Sequence, residues 1–168
     1  DSGVDAGTLS TGNLLGTTNV SGYGLFEDKD QVEIDFILAP GASSRSDQTA
    51  ITNDLVSKAV ARKDCVVVSS PARSDIVNIN SAATITTNIV ATADTFTKSS
   101  YLIMDGNYLK IFDKFNDRFI TIPASSSTAG IMAATDLNRA PWFSPAGSRR
   151  GQYLGITSIP YSPTKAQR

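Results

Sequence analysis

The chemistry open to this chain is narrowed first by what it lacks. Its 168 residues include no histidine, so the usual general base, the usual partner of a nucleophilic serine and the commonest nitrogen ligand for a metal are missing. Serine is abundant, but none lies in a Gly-x-Ser-x-Gly elbow, which leaves a serine–lysine pair to be tested. Two stretches could hold an anion: Ala39-Pro40-Gly41-Ala42-Ser43-Ser44 and Ser69-Ser70-Pro71-Ala72-Arg73, each at the end of a predicted strand. Ligands of open α/β sheets sit beyond the carboxyl ends of the strands, and small residues beside an arginine suit an anionic group. No GxGxxG motif follows a strand and no Walker lysine motif occurs. Gly22-Tyr23-Gly24 stands alone, ahead of the first clear strand. A nucleotide- or anion-binding α/β domain, or a hydrolase independent of histidine, is the alternative reading of the chain.

Asp105, Asp113, Asp117 and Asp136 could suggest a cation site, but the tight alternation of oxygen ligands and the distal glutamate of a calcium loop are missing. The first three lie in or beside predicted turns, where aspartate bonds its own backbone. Cys65 opens the apolar run Cys65-Val66-Val67-Val68 and reads as a small buried hydrophobe. A lone cysteine rules out an internal disulfide framework. The expectation is a chain with no catalytic, cofactor-binding or metal-binding residue, and not an enzyme.

The stretch from Arg139 to Gly151 holds the only tryptophan, Trp142, with two prolines, two glycines and three arginines. Arginine interleaved with aromatics can bind single-stranded nucleic acid, but a net charge of −1 supplies no basic excess for it. Two prolines stiffen the loop, and Trp142 is expected to plug it into the core. Charge is also unevenly placed. Residues 1–36 hold seven acids (Asp1, Asp5, Glu27, Asp28, Asp30, Glu33, Asp35) and one base, Lys29, whereas residues 139–168 hold five bases (Arg139, Arg149, Arg150, Lys165, Arg168) and no acid. Ends of −6 and +5 suit a head and a tail that meet on neighbouring subunits.

These residues need a scaffold, and 168 residues with 40% apolar and 18% charged side chains suffice for one globular domain. No apolar run approaches the roughly 20 residues of a membrane helix, and no basic-then-apolar signal segment opens the chain. Residues 1–24, rich in Gly, Ser, Thr and Asn, read as loop, with a short helix near Tyr23–Glu27. Asn19-Val20-Ser21 matches a glycosylation sequon, a pattern common by chance. Val32–Ala39 alternates as a strand, Ser46 or Asp47 caps a helix running to about Lys63, and Cys65–Ser69 is a continuous apolar strand suited to burial on both faces. Ser81 caps a helix over Ala82–Thr95. Tyr101–Met104, Tyr108–Phe112 and Arg118–Ile122 read as three strands of a β-meander, turned at Asp105-Gly106-Asn107 and at Lys114–Asp117. A short helix over Ser127–Ala134 and a last strand over Tyr153–Ile159 follow. The fold class is α/β, with a parallel βαβαβ first half, helices on its faces and antiparallel strands in the second half. Residues 1–30 form a loop-rich lead-in and 31–160 the α/β domain. Ser162-Pro163 reads as the N-cap and first position of a helix over 161–168 that enters further sequence. The initial Asp1 likewise suggests a processed or cut start.

Several of these stretches resemble one family. Pro141-Trp142-Phe143-Ser144-Pro145-Ala146-Gly147, then Arg150-Gly151-Gln152, resembles the W-x-S-P-A-G…R-G segment of contractile tail sheath proteins, especially those of T4-like bacteriophages. In the same order, Asp64-Cys65-Val66-Val67 with Ser70-Pro71 resembles that family's central strand. Ser100-Tyr101, Asp105-Gly106-Asn107-Tyr108 and Phe112–Asp117 resemble its hairpin region. Ala129-Gly130-Ile131 with Ala134-Thr135-Asp136 resembles its A-G-x-x-A-R-T-D segment, with Ala134 where the family has arginine. Ala166-Gln167-Arg168 resembles the start of the helix leading to the C-terminal domain. The resemblance spans roughly residues 30–168 and implies a subtilisin-like core in a structural subunit. Such subunits polymerise as stacked rings around a tail tube and contract to drive the tube through the host envelope. The implied partners are further copies of the subunit, the tail tube protein, and baseplate and tail terminator proteins, with no nucleic acid, membrane or cofactor. The implied location is the virion tail, after assembly in the host cytoplasm. Terminal arms join neighbours by strand addition in this family. A core lacking them is expected to stay monomeric.

Overall fold

A computed structural model describes residues 10–167. In chain order they form helix α1 (Thr11–Leu15), a 3-10 helix (Gly22–Glu27), strand β1 (Phe36–Leu38), helix α2 (Arg45–Arg62), strand β2 (Val66–Ser69), a single helical turn α3 (Arg73–Ile76) and helix α4 (Ala82–Thr95). Strands β3 (Leu102–Met104), β4 (Tyr108–Asp113) and β5 (Arg118–Pro123), helix α5 (Ser125–Asn138), strand β6 (Ile156–Ser158) and a closing 3-10 turn (Lys165–Gln167) complete the set. No helix among the described residues is long and apolar enough to cross a membrane.

The α/β class read from the sequence is what the chain adopts, as two three-stranded sheets. The first is parallel in the order β1-β2-β3, with Ile37 opposite Val67 and Val67 opposite Leu102. The crossovers run the same way twice, so with the usual right-handedness α2 and α4 share one face. They meet there: Asn53 Nδ2 donates to the Thr95 carbonyl at 3.1 Å, and the Thr97 amide donates to Asn53 Oδ1 at 2.7 Å. On that face Ile37 and Val67 pack with Ile51, Leu55, Val56 and Ala59, which helical periodicity places on one side of α2. Cys65 is buried in the same cluster, as its apolar setting suggested. Burial, helped by the neighbouring Asp64 charge, pushes its thiol pKa up, away from reactivity.

Capping explains where the helices begin. Ser44, two residues ahead of the expected start, caps α2: its Oγ accepts the Asp47 amide at 3.2 Å. Asp47 sits in the first turn, where a carboxylate favours the helix dipole. Ser81 caps α4 as read, accepting the Thr84 amide. The α1 helix, inside a stretch read as loop, is capped by Ser10 and docks on α2 through Thr11 Oγ1, which donates to Asp47 Oδ1 at 2.8 Å. The loop reading of residues 1–9 lies outside the described residues.

Four expectations need correction. The first strand is Phe36–Leu38, not Val32–Ala39. The carbonyls of Phe26 and Val32 accept the Arg62 guanidinium, each at 2.7 Å, and so hold this lead-in against α2. Leu102–Met104 belongs to the parallel sheet and not to the meander. The Asp105 amide continues its ladder by donating to the Ser69 carbonyl at 2.8 Å, so Asp105-Gly106-Asn107 links two sheets rather than turning a hairpin. The third antiparallel strand is β6, giving the order β5-β4-β6, and it is limited to Ile156–Ser158. The end of the chain makes a 3-10 turn in place of an α-helix. Gln167 Oε1 accepts the Thr164 amide at 2.9 Å and closes it.

Candidate functional site

The carboxyl ends of the parallel strands, where an α/β sheet would bind a ligand, are filled by the chain itself. Strand order β1-β2-β3 never reverses, so it opens no switch-point crevice. Tyr108, at the start of β4, is 1% exposed and lies across those ends. Its hydroxyl donates to the Pro71 carbonyl at 2.9 Å. A Cβ on Gly41 would stand 2.7 Å from the Tyr108 hydroxyl oxygen, so any larger residue there would have to displace the buried ring. Burial pushes the Tyr108 pKa up to about 12, which keeps it a neutral donor.

The serines and arginines weighed for anion binding are engaged within the fold. Ser69 Oγ accepts Gln48 Nε2 at 3.1 Å and pairs with Thr52 Oγ1 at 2.9 Å, all three residues being fully buried. Gln48 Oε1 in turn accepts the Ala42 amide at 2.7 Å. Ser70 Oγ accepts the Ser125 amide at 3.1 Å, pinning the start of α5. Ser44 is the α2 cap, and the Ser43 carbonyl accepts the Ser74 amide. Arg73 donates to the Thr121 carbonyl at 2.8 Å. Sequence reading missed the strongest polar cluster here. Arg45 places a fork on Asp75 at 2.7 and 3.1 Å, and Thr92 Oγ1 donates to the same carboxylate at 2.6 Å. This bond raises the Arg45 pKa further. Arg45 stands two residues from Asp47 in the first turn of α2 yet pairs with Asp75, 30 residues on, and no local signal announces it.

A serine–lysine pair needs a lysine with a lowered pKa. Lys58, the buried lysine, shows the reverse. Burial is the largest single influence and would lower its pKa, but Asp54 at 2.7 Å and Glu27 at 3.1 Å together outweigh it and hold the ammonium charged. The four aspartates weighed for a cation stay apart. Asp113 Oδ1 accepts the Phe115 amide at 3.1 Å, and its Oδ2 accepts Asn116 Nδ2, which keep its pKa low. Asp117 takes the left-handed conformation of the β4–β5 turn. Asp105 instead accepts the hydroxyls of Thr128 and Tyr153, fastening β3 to α5 and to the segment before β6. Asp136 lies on α5 beside another groove. Among the described residues, no three potential metal-binding side chains gather.

What remains partly open is one end of the other face of the parallel sheet, around Phe36 and Val66, while Val68 on that face is fully buried. Ile37 and Val67 point to α2, so Phe36 and Val66 point to α5. There they border a groove of about 300 Å³ with Met132, Phe143 and Pro145. A second groove of about 540 Å³ runs between α5 and residues 150–154. The loop expected to plug the core through Trp142 does not. The indole is 83% exposed, 5.9 Å from the Phe143 ring, and it is Phe143 and the two prolines, not Trp142, that line the groove beside the sheet. Leu154, which lines the second groove, and Leu137 on α5 are bare, at 87% and 88% exposed.

Comparison with known proteins fits this picture of a filled crevice and an open face. No family model matches the chain. It is 30% identical to the tail sheath protein of Enterobacteria phage T4 over 98% of its length and 27% of that protein's. It is also 30% identical to the tail sheath protein of Vibrio phage KVP40, over 88% of this chain and 24% of the relative, and to that of Salmonella phage ViI, over 68% and 18%. The chain thus spans about a quarter of the length of the first two. A chain in the cryo-EM structure of the anti-feeding prophage baseplate shares the fold, with a TM-score of 0.56 and 16% identity, over 82% of this chain and 32% of that one. The order of motifs, the mixed α/β architecture and three relatives of one kind agree: the chain is a segment of a contractile tail sheath protein.

Proposed function

We propose that this segment is the load-transmitting core of a structural sheath subunit. The parent protein polymerises in rings around a tail tube and contracts to drive that tube through the host envelope. The observation that carries this reading is similarity along 98% of the chain to a tail sheath protein. It gains support from strand ends whose hydroxyls and guanidinium groups are bound within the fold. The role is mechanical and not catalytic, and contraction re-docks rigid blocks without refolding them. The partners are further sheath copies, the tail tube protein, and the baseplate and terminator proteins of the virion, with no nucleic acid, membrane or cofactor. Assembly takes place in the host cytoplasm. Residues 1–30 act as a lead-in and 161–168 as the exit toward the C-terminal part. The test is electron microscopy of the purified parent protein. Cylinders are expected, and a parent that stays dispersed under all assembly conditions contradicts the proposal. The 168-residue chain alone is expected to scatter light as a monomer.

A further inference from the structure

We propose that the groove between α5 and residues 150–154 receives the acidic Asp30–Asp35 segment of a second copy of this chain. The inference rests on the sheath reading above and names one contact within it. Gly130, Ile131 and Ala134 line the groove, and Arg139 and Arg150 stand along it. Among the described residues, neither guanidinium has a carboxylate within 4 Å. Arg150 lies over the Phe143 ring at 4.5 Å instead. Bases in the packed part of the chain behave differently: Arg45, Lys58 and Arg62 all hold carboxylates. The groove is therefore a largely apolar channel flanked by two charges with no carboxylate within 4 Å among the described residues.

The complement is present elsewhere on the same chain. Asp30, Glu33 and Asp35 are exposed, and among the described residues no base lies within 4 Å of them. Asp28 accepts the amides of Asp30 and Gln31 at 2.9 and 3.3 Å, so it holds the turn that presents the others. Asp35 borders the adjoining groove beside Phe143, whereas Asp30 and Glu33 line neither groove, so these two are the acids free to reach a neighbour. Each copy then offers its acids to one neighbour and its arginines to another. Such a heterologous contact propagates as a ring or helix instead of closing as a two-fold dimer. Charges at an exposed rim set partner choice and register and weaken with salt.

A charge-swap experiment on the intact parent protein tests this. One variant carries Arg139→Glu and Arg150→Glu; the other carries Asp30→Arg and Glu33→Arg. Each alone is expected to give roughly tenfold fewer cylinders at low salt. An equal mixture restores them, because each variant supplies what the other's two patches need. Arg139→Lys with Arg150→Lys keeps the charge and is expected to assemble. Normal assembly of both charge-reversed variants overturns the contact while leaving the sheath reading intact. Loss without rescue in the mixture also overturns it, and assigns the groove to another part of the parent chain. Failure of the unaltered parent to form cylinders counts against the sheath reading itself.

Discussion

Ile37 and Val67 point from the parallel sheet to α2 and are sealed there by Ile51, Leu55, Val56 and Ala59, all at most 2% exposed. Their strand neighbours Phe36 and Val66 point the other way and border a groove. The difference follows from the two helices. The apolar side chains of α2 recur at helical spacing, and Arg62, Lys58 and Arg45 brace its rim. The α5 sequence, Ser125-Ser-Ser-Thr-Ala-Gly-Ile-Met-Ala-Ala-Thr-Asp-Leu-Asn138, offers small side chains that cannot fill the space over a sheet. One face is finished within the chain; the other is shaped to be finished by contact. That contrast suits a rigid block that works by docking.

The largest way to break the contrast is at Leu55. Leu55→Ala is expected to cost about 2–5 kcal/mol through the cavity it leaves, a fall in melting temperature of roughly 5–20 °C for a domain this size. Leu137→Ala or Leu154→Ala on the open side should change stability by less than about 0.5 kcal/mol. Equal effects in a calorimetric scan would erase the distinction.

Next comes Asp75→Ala, which leaves Thr92 and the Arg45 fork without their acceptor. Arg45 is about a third exposed and can turn to water, so the expected loss is about 2–3 kcal/mol by urea titration. Asp75→Asn, which keeps the shape, should lose less.

Acid should loosen the α2 side in a definite window. Lys58 holds the Glu27 carboxyl below its ordinary pKa, Ser44 does the same for Asp47, and Arg62 for Asp64. Carboxyls whose folded values are depressed contribute stability that is complete above the unfolded value of about 4 and is lost as pH falls through the lower folded values. The urea midpoint should stay level from neutral pH to about pH 5 and decline below about pH 4. A decline that began between pH 7 and 5 would point to some other group.

The smallest effect is optical. Trp142, the sole tryptophan, should emit as a solvated indole and be quenched freely by acrylamide. Trp142→Ala should leave stability within about 0.5 kcal/mol. A blue-shifted, protected indole would place it in the core after all.

The parts legible in the sequence were those where local chemistry and tertiary context agree. Ser81 as a cap, a strand within Cys65–Ser69 and the α/β order all rest on spacing. Pairing partners were less visible. Leu102–Met104 and Tyr108–Asp113 look alike as short apolar strands, and only their pairing, parallel with β2 in one case and antiparallel with β5 in the other, reveals that they join different sheets. Trp142 misled because a lone tryptophan between prolines has the composition of a core plug. In the fold it is Phe143 that lines the groove beside the sheet, and the indole stays in solvent. Tyr108 over Gly41 joins residues far apart in the chain, and neither motif signals the other.

Hydrogen exchange, followed in the isolated chain and in assembled parent cylinders, tests the contrast of faces most directly. The account predicts that amides of α2 and β2 are slow in both states. Amides of α5 and residues 139–155 should exchange fast in the isolated chain and slow markedly on assembly. Equal protection of the α5 side in both states would contradict it, because that face would then be complete without a neighbour.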